Sequence, residues 1–283
     1  MKPIIKYRGG KSKEIPQLIQ YIPQFEGRYI EPFFGGGAMF FHLEPNNAII
    51  NDINVRLMNF YRCVQQNFVE LSTELAELEE IYTNNRLEFD KQKNERSKER
   101  ILDKNESLYY RLRDMYNGSI PSIYSDAALY YFINKTAYSG MIRFNAKGEF
   151  NVPYGRYKNF NTKIITESHR NLLLNTEIHN GDYRNIFNMV TPNDFIFLDP
   201  PYDCIFSDYG NMEYMDGFNE ANHRELAQDF YNLGCRALMV IGDTPLIRGL
   251  YGNNIIAEYG KNYSVNIRNR FKAGATHLII TNY

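Results

Sequence analysis

The segment that most limits what this chain can fold into is a run of four apolar residues closed by a rigid polar tetrad. Phe195-Ile196-Phe197-Leu198 has the length and composition of a buried strand, and Asp199-Pro200-Pro201-Tyr202 ends it. In open α/β sheets, ligands gather just outside such strand ends. A carboxylate, two prolines and an aromatic ring at that point form a stiff polar slot beside a flat surface. Such a slot suits a planar amine better than a sugar or a peptide. Hydrogen bonds from the N–H groups of an exocyclic amine to the Asp199 carboxylate and the Pro200 carbonyl would draw its lone pair out of conjugation. Tyr202 would hold the ring by stacking.

Other strand ends repeat the pattern. Residues 28–34 (RYIEPFF) read as a strand, Gly35-Gly36-Gly37 as a tight turn, Ala38 to Leu43 as a short helix and Ala48 to Asn51 as a second strand closed by Asp52. In such a unit glycines let the backbone approach a ligand, and an acid ending the next strand can accept from two ribose hydroxyls. Thr176 to His179 leads into Gly181-Asp182-Tyr183, and Ala237 to Ile241 leads into Gly242-Asp243. A helix from Asn219 through Leu226, Phe230 and Leu233, capped by Gly234, precedes the latter strand. Ile255 to Glu258, Ser264 to Ile267 and His277 to Thr281 follow with no helix between the last two, which predicts an antiparallel edge on an otherwise parallel sheet.

Any single acid here could cap a helix or sit in a turn. Together, Asp52 suits a ribose, Asp182 the amino group of a cofactor adenine, and Asp199 a substrate amine. They point to a nucleotide-like cofactor along the sheet's C-terminal edge. No phosphate loop of the Gly-x-x-x-x-Gly-Lys-Ser/Thr kind is present, which disfavours ATP or GTP. A dinucleotide stays open, although the contiguous glycines differ from the spaced fingerprint.

Between the second and third strands the period changes. Leu57, Phe60, Tyr61, Val64 and Phe68, then Leu71, Leu75, Leu78, Ile81 and Tyr82, recur at helical spacing, as do Leu108, Leu112, Met115 and Tyr116, and Leu129, Phe132 and Ile133. Residues 84–106, rich in both signs of charge, read as a solvated helical face or a mobile loop. Met141 to Phe144 and Glu149 to Val152 flank a Gly-containing turn and read as a two-stranded hairpin. The expected architecture is one α/β domain, residues 1–60 and 161–283, split by a mainly helical insert, 61–160, that ends in the hairpin.

Composition limits the partners. A chain of 283 residues can bury a large core, and its 32 basic and 33 acidic side chains nearly cancel, so a nucleic-acid surface must come from local arrangement. Cys63, Cys204 and Cys235 stand far apart and the five histidines are scattered, which fits a reducing compartment and predicts no metal site. No apolar run reaches membrane-spanning length and no signal-peptide core follows Met1, so a cytoplasmic location is expected.

Lys6-Tyr7-Arg8-Gly9-Gly10-Lys11, residues 31–37 (EPFFGGG), Asn51-Asp52-Ile53-Asn54, residues 138–155 (YSGMIRFNAKGEFNVPYG), Asp199 to Tyr202 and the terminal residues 278–283 (LIITNY) occur in the order found in the Dam-type DNA adenine-N6 methyltransferases. The chain resembles this family, the alpha group or D12 class, over nearly its whole length. The resemblance implies a Rossmann-like mixed sheet with an inserted target-recognition domain. It implies S-adenosylmethionine as methyl donor, held by Tyr7, Lys11, Glu31, Phe33, Phe34, Gly35, Asp52, Ile53, Asp182, Tyr183 and Asp199. Tyr7 stands where family members often carry Trp. Asp199, Pro200, Pro201 and Tyr202 would be the catalytic residues, acting without a metal on an adenine flipped out of double-stranded DNA. Tyr138, Ser139, Met141 and Arg143 would be the DNA contacts, with Tyr138 stacking into the gap and Arg143 reading a guanine edge. Some relatives have Asn where this chain has Ser139. GATC is the target the resemblance suggests, and a cognate restriction endonuclease the partner it leaves room for. An RNA adenine-N6 methyltransferase and a non-catalytic DNA-binding regulator on the same fold are the rival readings.

Overall fold

A computed structural model of the chain describes residues 1–95, 101–203, 218–261 and 275–283. In chain order its elements are α1 (Ile15–Leu18), β1 (Tyr29–Glu31), α2 (Ala38–Leu43), β2 (Ala48–Ile50), α3 (Val55–Gln66), α4 (Phe68–Glu95), α5 (Lys104–Tyr116), α6 (Asp126–Thr136), α7 (Glu167–Leu174), β3 (Thr176–Ile178), α8 (Tyr183–Phe187), β4 (Phe195–Leu198), α9 (Glu220–Tyr231), β5 (Arg236–Gly242), α10 (Pro245–Tyr251), β6 (Ile255–Lys261) and β7 (Ala275–Thr281). The chain divides into two compact units. One comprises residues 1–2, 11–54 and 175–283, the other residues 3–10 and 55–174.

The first unit is a seven-stranded sheet in the order β3-β2-β1-β4-β5-β7-β6. Its strands are parallel except β7, which runs antiparallel to both β5 and β6. The antiparallel edge expected from sequence is therefore present, and the fold is the expected mixed α/β one. Strand order reverses between β1 and β4, paired through Ile30 and Ile196, and at such a switch point open α/β sheets take ligands outside the carboxyl ends of their strands. The apolar runs disappear into the core, with Ile30, Ile49, Ile196, Leu198, Met239, Ile241, Leu278 and Ile280 in one buried cluster. The turn after β1 needs glycine. Gly37 has φ 62°, and a Cβ there would lie 2.4 Å from the Phe34 ring.

Several elements differ from the sequence expectation. β1 stops at Glu31 rather than at Phe34; Pro32 has no N–H, and the Phe34 N–H turns to the Asn51 carbonyl at 2.9 Å. The C-cap of α9 is Asn232, not Gly234, while Asn219 and Asn222 form a reciprocal capping box at its start. The reading of Ser264 to Ile267 as a strand lies outside the described residues, as do Cys204 and residues 96–100 of the charged stretch.

The second unit is helical with an aromatic interior. Phe60 stacks on Tyr131 at 5.8 Å, Phe132 packs edge-on to Phe160 at 5.1 Å, and the Tyr82 hydroxyl donates to the Tyr157 carbonyl at 2.6 Å. Asn84 to Glu95 simply continue α4, whose buried residues are Leu71, Leu75, Leu78 and Tyr82. The expected two-stranded hairpin is reduced to a single bridge, Phe144 to Phe150, closed by a turn in which Gly148 has φ 79°. Pairing stops early because side chains take backbone groups: the Asn145 carboxamide accepts from the N–H groups of Lys147 and Glu149, and Asn117 exchanges two hydrogen bonds with the Phe150 backbone. Asn134 holds residue 6 in the same reciprocal way.

One carboxylate ties β1 to β4. Asp194, buried just before β4, accepts from the Arg28 backbone N–H at 2.7 Å, from Arg28 Nε and Nη2 at 3.2 and 2.7 Å, and from the Thr191 N–H at 2.7 Å. Burial works against its charge, but the bonds from Arg28 and Thr191 outweigh that and hold the carboxyl at about 2. A folded-state value below the ordinary 3.8 contributes stability that is present above that value and is lost as pH falls toward 2. Asp194→Asn should therefore destabilise the protein by about 2 kcal/mol at pH 7. In urea titrations at pH 7, 4 and 3 the difference should shrink at the lowest pH; a constant difference would mean that the charge contributes nothing.

Candidate active site

Asp199 and Glu31 stand at the carboxyl ends of the two strands that flank the switch point, Glu31 as the last residue of β1 and Asp199 as the first after β4. The Lys11 ammonium donates to both oxygens of Asp199, at 2.6 and 2.7 Å. Lys11 is 3% exposed, so this is a nearly buried ion pair. The same Nζ lies 5.0 Å from the centre of the Tyr202 ring. A carboxylate paired this closely with a cation is favoured in its ionised form, which can only accept hydrogen bonds.

Glu31 behaves oppositely. Burial pushes its carboxyl well above the usual range, and nearby Asp199 adds to that, while the Tyr29 hydroxyl, donating at 2.8 Å, and Lys11 oppose it. Side by side at the switch point, the ion pair with Lys11 thus favours the charged form of Asp199 while burial favours the protonated form of Glu31. A single buried ammonium suffices to balance the pair.

Asp52, at the end of β2, is 6% exposed. Its Oδ2 accepts from the Gly35 N–H at 2.8 Å and its Oδ1 from the Asn54 N–H at 2.9 Å. The acid therefore fixes the glycine turn, and each oxygen has the capacity for more than one donor. Asn51 joins the turn to the end of β3, donating to the carbonyls of Pro32 and Gly181. Ile53 follows in the same loop, where the Asn180 carboxamide donates to the carbonyls of Asp52 and Ile53.

The remaining candidates take varied places. Phe34 is buried beneath Gly37, whereas Phe33 is half-buried and packs on Tyr183 at 5.2 Å. Tyr183 donates to Asp229 at 2.8 Å. Asp182 caps α8 through the Arg184 N–H and pairs with the Arg184 guanidinium, which holds its carboxyl below the ordinary value. Pro200 is buried; Pro201 and Tyr202 are half-buried. The sheet unit thus brings Lys11, Glu31, Asp199 and Tyr202 together around the switch point. Tyr7 belongs to the helical unit, where its carbonyl accepts the Gly10 N–H at 3.3 Å.

In the helical unit, Tyr138 is 56% exposed and is followed by Ser139 at φ 55°, a backbone state that a non-glycine residue adopts at a cost. Met141 is half-buried. Arg143 is exposed but fixed, its Nε donating to Asn151 Oδ1 at 2.8 Å and its Nη2 to the Asn151 carbonyl at 3.2 Å. Lys6 and Lys135 lie together nearby: the Lys6 ammonium donates to the Lys135 carbonyl at 3.1 Å, and burial, helped by Lys6, pulls Lys135 down to about 8. The sequence reading assigned no role to Lys135, nor to Glu14 and His277, which are buried in the sheet unit. The visible signal for His277 was a polar residue inside an otherwise apolar strand. Among the described residues no group of His, Cys, Asp and Glu could hold a metal, and no helix is long and apolar enough to cross a membrane.

A sequence profile of the D12 class N6 adenine-specific DNA methyltransferases matches residues 7–265. The type II methyltransferase M.CviBI of Paramecium bursaria Chlorella virus NC1A is 36% identical over 293 aligned positions that cover all of both chains. The type II methyltransferase M.MjaIII of Methanocaldococcus jannaschii is 33% identical over 311 positions, covering all of this chain and 99% of its own. A DNA adenine methylase of Serratia marcescens is 28% identical over 260 positions, 88% of this chain and 87% of its own.

A neutral Glu31 has a measurable signature. An acid whose folded-state value is raised contributes stability that is complete below its ordinary 4.5 and is lost as pH rises toward the folded value. Glu31→Gln does not titrate, so its stability relative to the unsubstituted protein should improve steadily from pH 4.5 to pH 8. Chemical denaturation across that range measures it, and a pH-independent difference would show that Glu31 is ionised in the folded state.

Proposed function

The chain belongs to the D12 class N6 adenine-specific DNA methyltransferases, and from that premise we propose that it transfers a methyl group from S-adenosylmethionine to the N6 atom of one adenine in a short duplex site. The arrangement of Lys11, Asp199 and Tyr202 at the end of β4 carries this reading. An acceptor-only carboxylate beside a stacking ring meets the needs of an adenine amino group. The acceptor set of Asp52, Asp182 and Asp199, with Glu31 able to donate or accept, also fits a cofactor with ribose hydroxyls, an adenine amino group and a cationic sulfonium better than one with phosphates. Phe33, Phe34, Gly35, Ile53 and Tyr183 are assigned to the same cofactor region.

When bound, S-adenosylmethionine supplies an electrophilic methyl group. The protein's part is positioning and electrostatics. The adenine must leave the duplex, since its N6 is unreachable while paired and stacked. Asp199 and the Pro200 carbonyl then accept from the two N6–H bonds and turn the nitrogen lone pair toward the methyl group, while Tyr202 supports the ring. Lys11 keeps Asp199 charged, and a neutral Glu31 avoids a second negative charge in the crevice.

We assign target reading to residues 61–160 and methyl transfer to 1–60 and 161–283, in a cytoplasmic enzyme. Exposed Tyr138 suits stacking into the gap left by the flipped base, with Ser139 and Met141 beside it. Arg143, locked by Asn151, presents a fixed guanidinium of the kind that pairs with guanine O6 and N7. GATC is the proposed site, and the two relatives named type II methyltransferases make a cognate restriction endonuclease a natural partner.

The direct test is expression in a methylation-free host with genome-wide mapping of modified adenines, alongside transfer of labelled methyl groups to duplex DNA and to RNA. Asp199→Ala should lower turnover on DNA by roughly 100-fold or more, because it removes a contact made mainly in the transition state. Near-normal turnover would sink the mechanism. Arg143→Ala should cost about 1 to 3 kcal/mol at the preferred site and relax the choice of one base pair. Equal slowing on every duplex of a near-matching library would make Arg143 a hairpin brace instead.

A further inference from the structure

Behind Tyr202 lies a buried polar cluster that the methyl-transfer scheme does not use. His277 on β7 is wholly buried and Glu14, the residue preceding α1, is 4% exposed. His277 Nδ1 is 2.8 Å from Glu14 Oε2, and the Tyr259 hydroxyl of β6 donates to the same oxygen. An ionised Glu14 can only accept, so the tautomer of His277 that keeps its hydrogen on Nδ1 is the one that completes this hydrogen bond. The imidazole is then fixed in both tautomer and angle. Its ring meets Tyr202 edge-on, centroids 5.0 Å apart and planes at 88°, with the Tyr202 hydroxyl 3.4 Å from Nδ1.

Tyr202 is constrained from further directions. A Cβ on Gly242, which pairs with His277 across β5 and β7, would come within 3.1 Å of Tyr202 Cδ2, so the ring lies flush against bare backbone. The Lys11 ammonium is 5.0 Å from the ring centre. Glu14 and Lys11 share one turn, the N–H groups of Glu14 and Ile15 both donating to the Lys11 carbonyl, at 2.7 and 3.1 Å. One short segment therefore supplies both the cation that faces Asp199 and the carboxylate that sets His277.

We propose that Glu14 and His277 are positioning residues that fix the angle of the Tyr202 ring, and through it the plane in which the target base is presented. This rests on the reading of Tyr202 as the stacking surface. A ring tilted by a rotated imidazole would still bind a base but would misalign its amine, and misplacement on the scale of 1 Å lowers a rate by up to about 100-fold.

The experiment compares Glu14→Ala, Glu14→Gln, His277→Leu and His277→Asn, each alone and with Tyr202→Ala, measuring turnover on duplex DNA, S-adenosylmethionine affinity by calorimetry, and thermal midpoint. Glu14→Ala and His277→Leu should lower kcat on the order of 10-fold with cofactor affinity unchanged. Glu14→Gln, which keeps an acceptor facing His277, should restore most of it, whereas His277→Asn, which keeps a donor but loses the ring that meets Tyr202, should not. In the Tyr202→Ala background none should have a further effect, since the pathway runs through that ring. Additive losses in that background, failure of Glu14→Gln to restore turnover, full turnover in His277→Asn, or unchanged kcat in the Ala and Leu variants would overturn the proposal. Two controls separate the levels: no methyl transfer to duplex DNA by the unsubstituted protein would mean that the methyl-transfer reading fails, an active Asp199→Ala would mean that the role given to Asp199 fails, and an inactive Asp199→Ala beside a Glu14→Ala that matches the unsubstituted protein would mean that only the positioning role fails.

Discussion

The sheet unit depends on how charge is arranged where its strand order reverses. Two acids meet at the carboxyl ends of β1 and β4, where parallel strands leave a crevice and little water. Both cannot be ionised there without strong mutual repulsion. One buried ammonium and one tyrosine hydroxyl meet this: Lys11 pairs with Asp199, and the Tyr29 hydroxyl donates to Glu31, whose carboxyl burial pushes well above the usual range. The same principle recurs outside the crevice, where Asp194 is surrounded by donors from Arg28 and Thr191 and stays charged. Burial alone does not decide which acid keeps its charge; the number and kind of donors aimed at it does.

Much of this was legible in the residues because continuous apolar runs and strand-end acids leave few alternatives. Phe195 to Leu198 is a strand with the bounds read from sequence, and so is the helix Ala38–Leu43. The antiparallel end of the sheet followed from two strand patterns with no room for a crossover helix. In the hairpin, side chains take the place of backbone partners. Asn117 and Asn145 satisfy groups that a longer hairpin ladder would have used, and Asn232 ends a helix for which Gly234 looked the better stop. The partner of Asn117 lies 33 positions away and leaves no local pattern, while Asn145 bonds within its own turn, where several conformations compete.

The candidate site was legible in part for the same reason. Asp52, Asp182 and Asp199 each announce themselves by ending a strand-like run. Their partners do not. That Lys11 faces Asp199, 188 positions away, and that Glu14 meets His277, 263 away, are facts of topology. That Asp52 fixes the Gly35 turn is likewise a fact of the folded backbone, whose N–H points at its carboxylate.

The long interval between β1 and β4 also has a consequence for biosynthesis. Arg28 and Asp194, whose pairing joins those strands, are separated by 166 positions, and nearly all of the helical unit is encoded between them. On a ribosome β1 and β2 therefore emerge first and must wait, apolar and without their central neighbour, while the helices are made and can pack among themselves. Closing so large a loop is slow compared with forming local helical contacts. The nascent sheet is the vulnerable species, and a chaperone acting on this protein would meet β1 and β2, with the edges later covered by β4 and β3 still open, long before the sheet was complete.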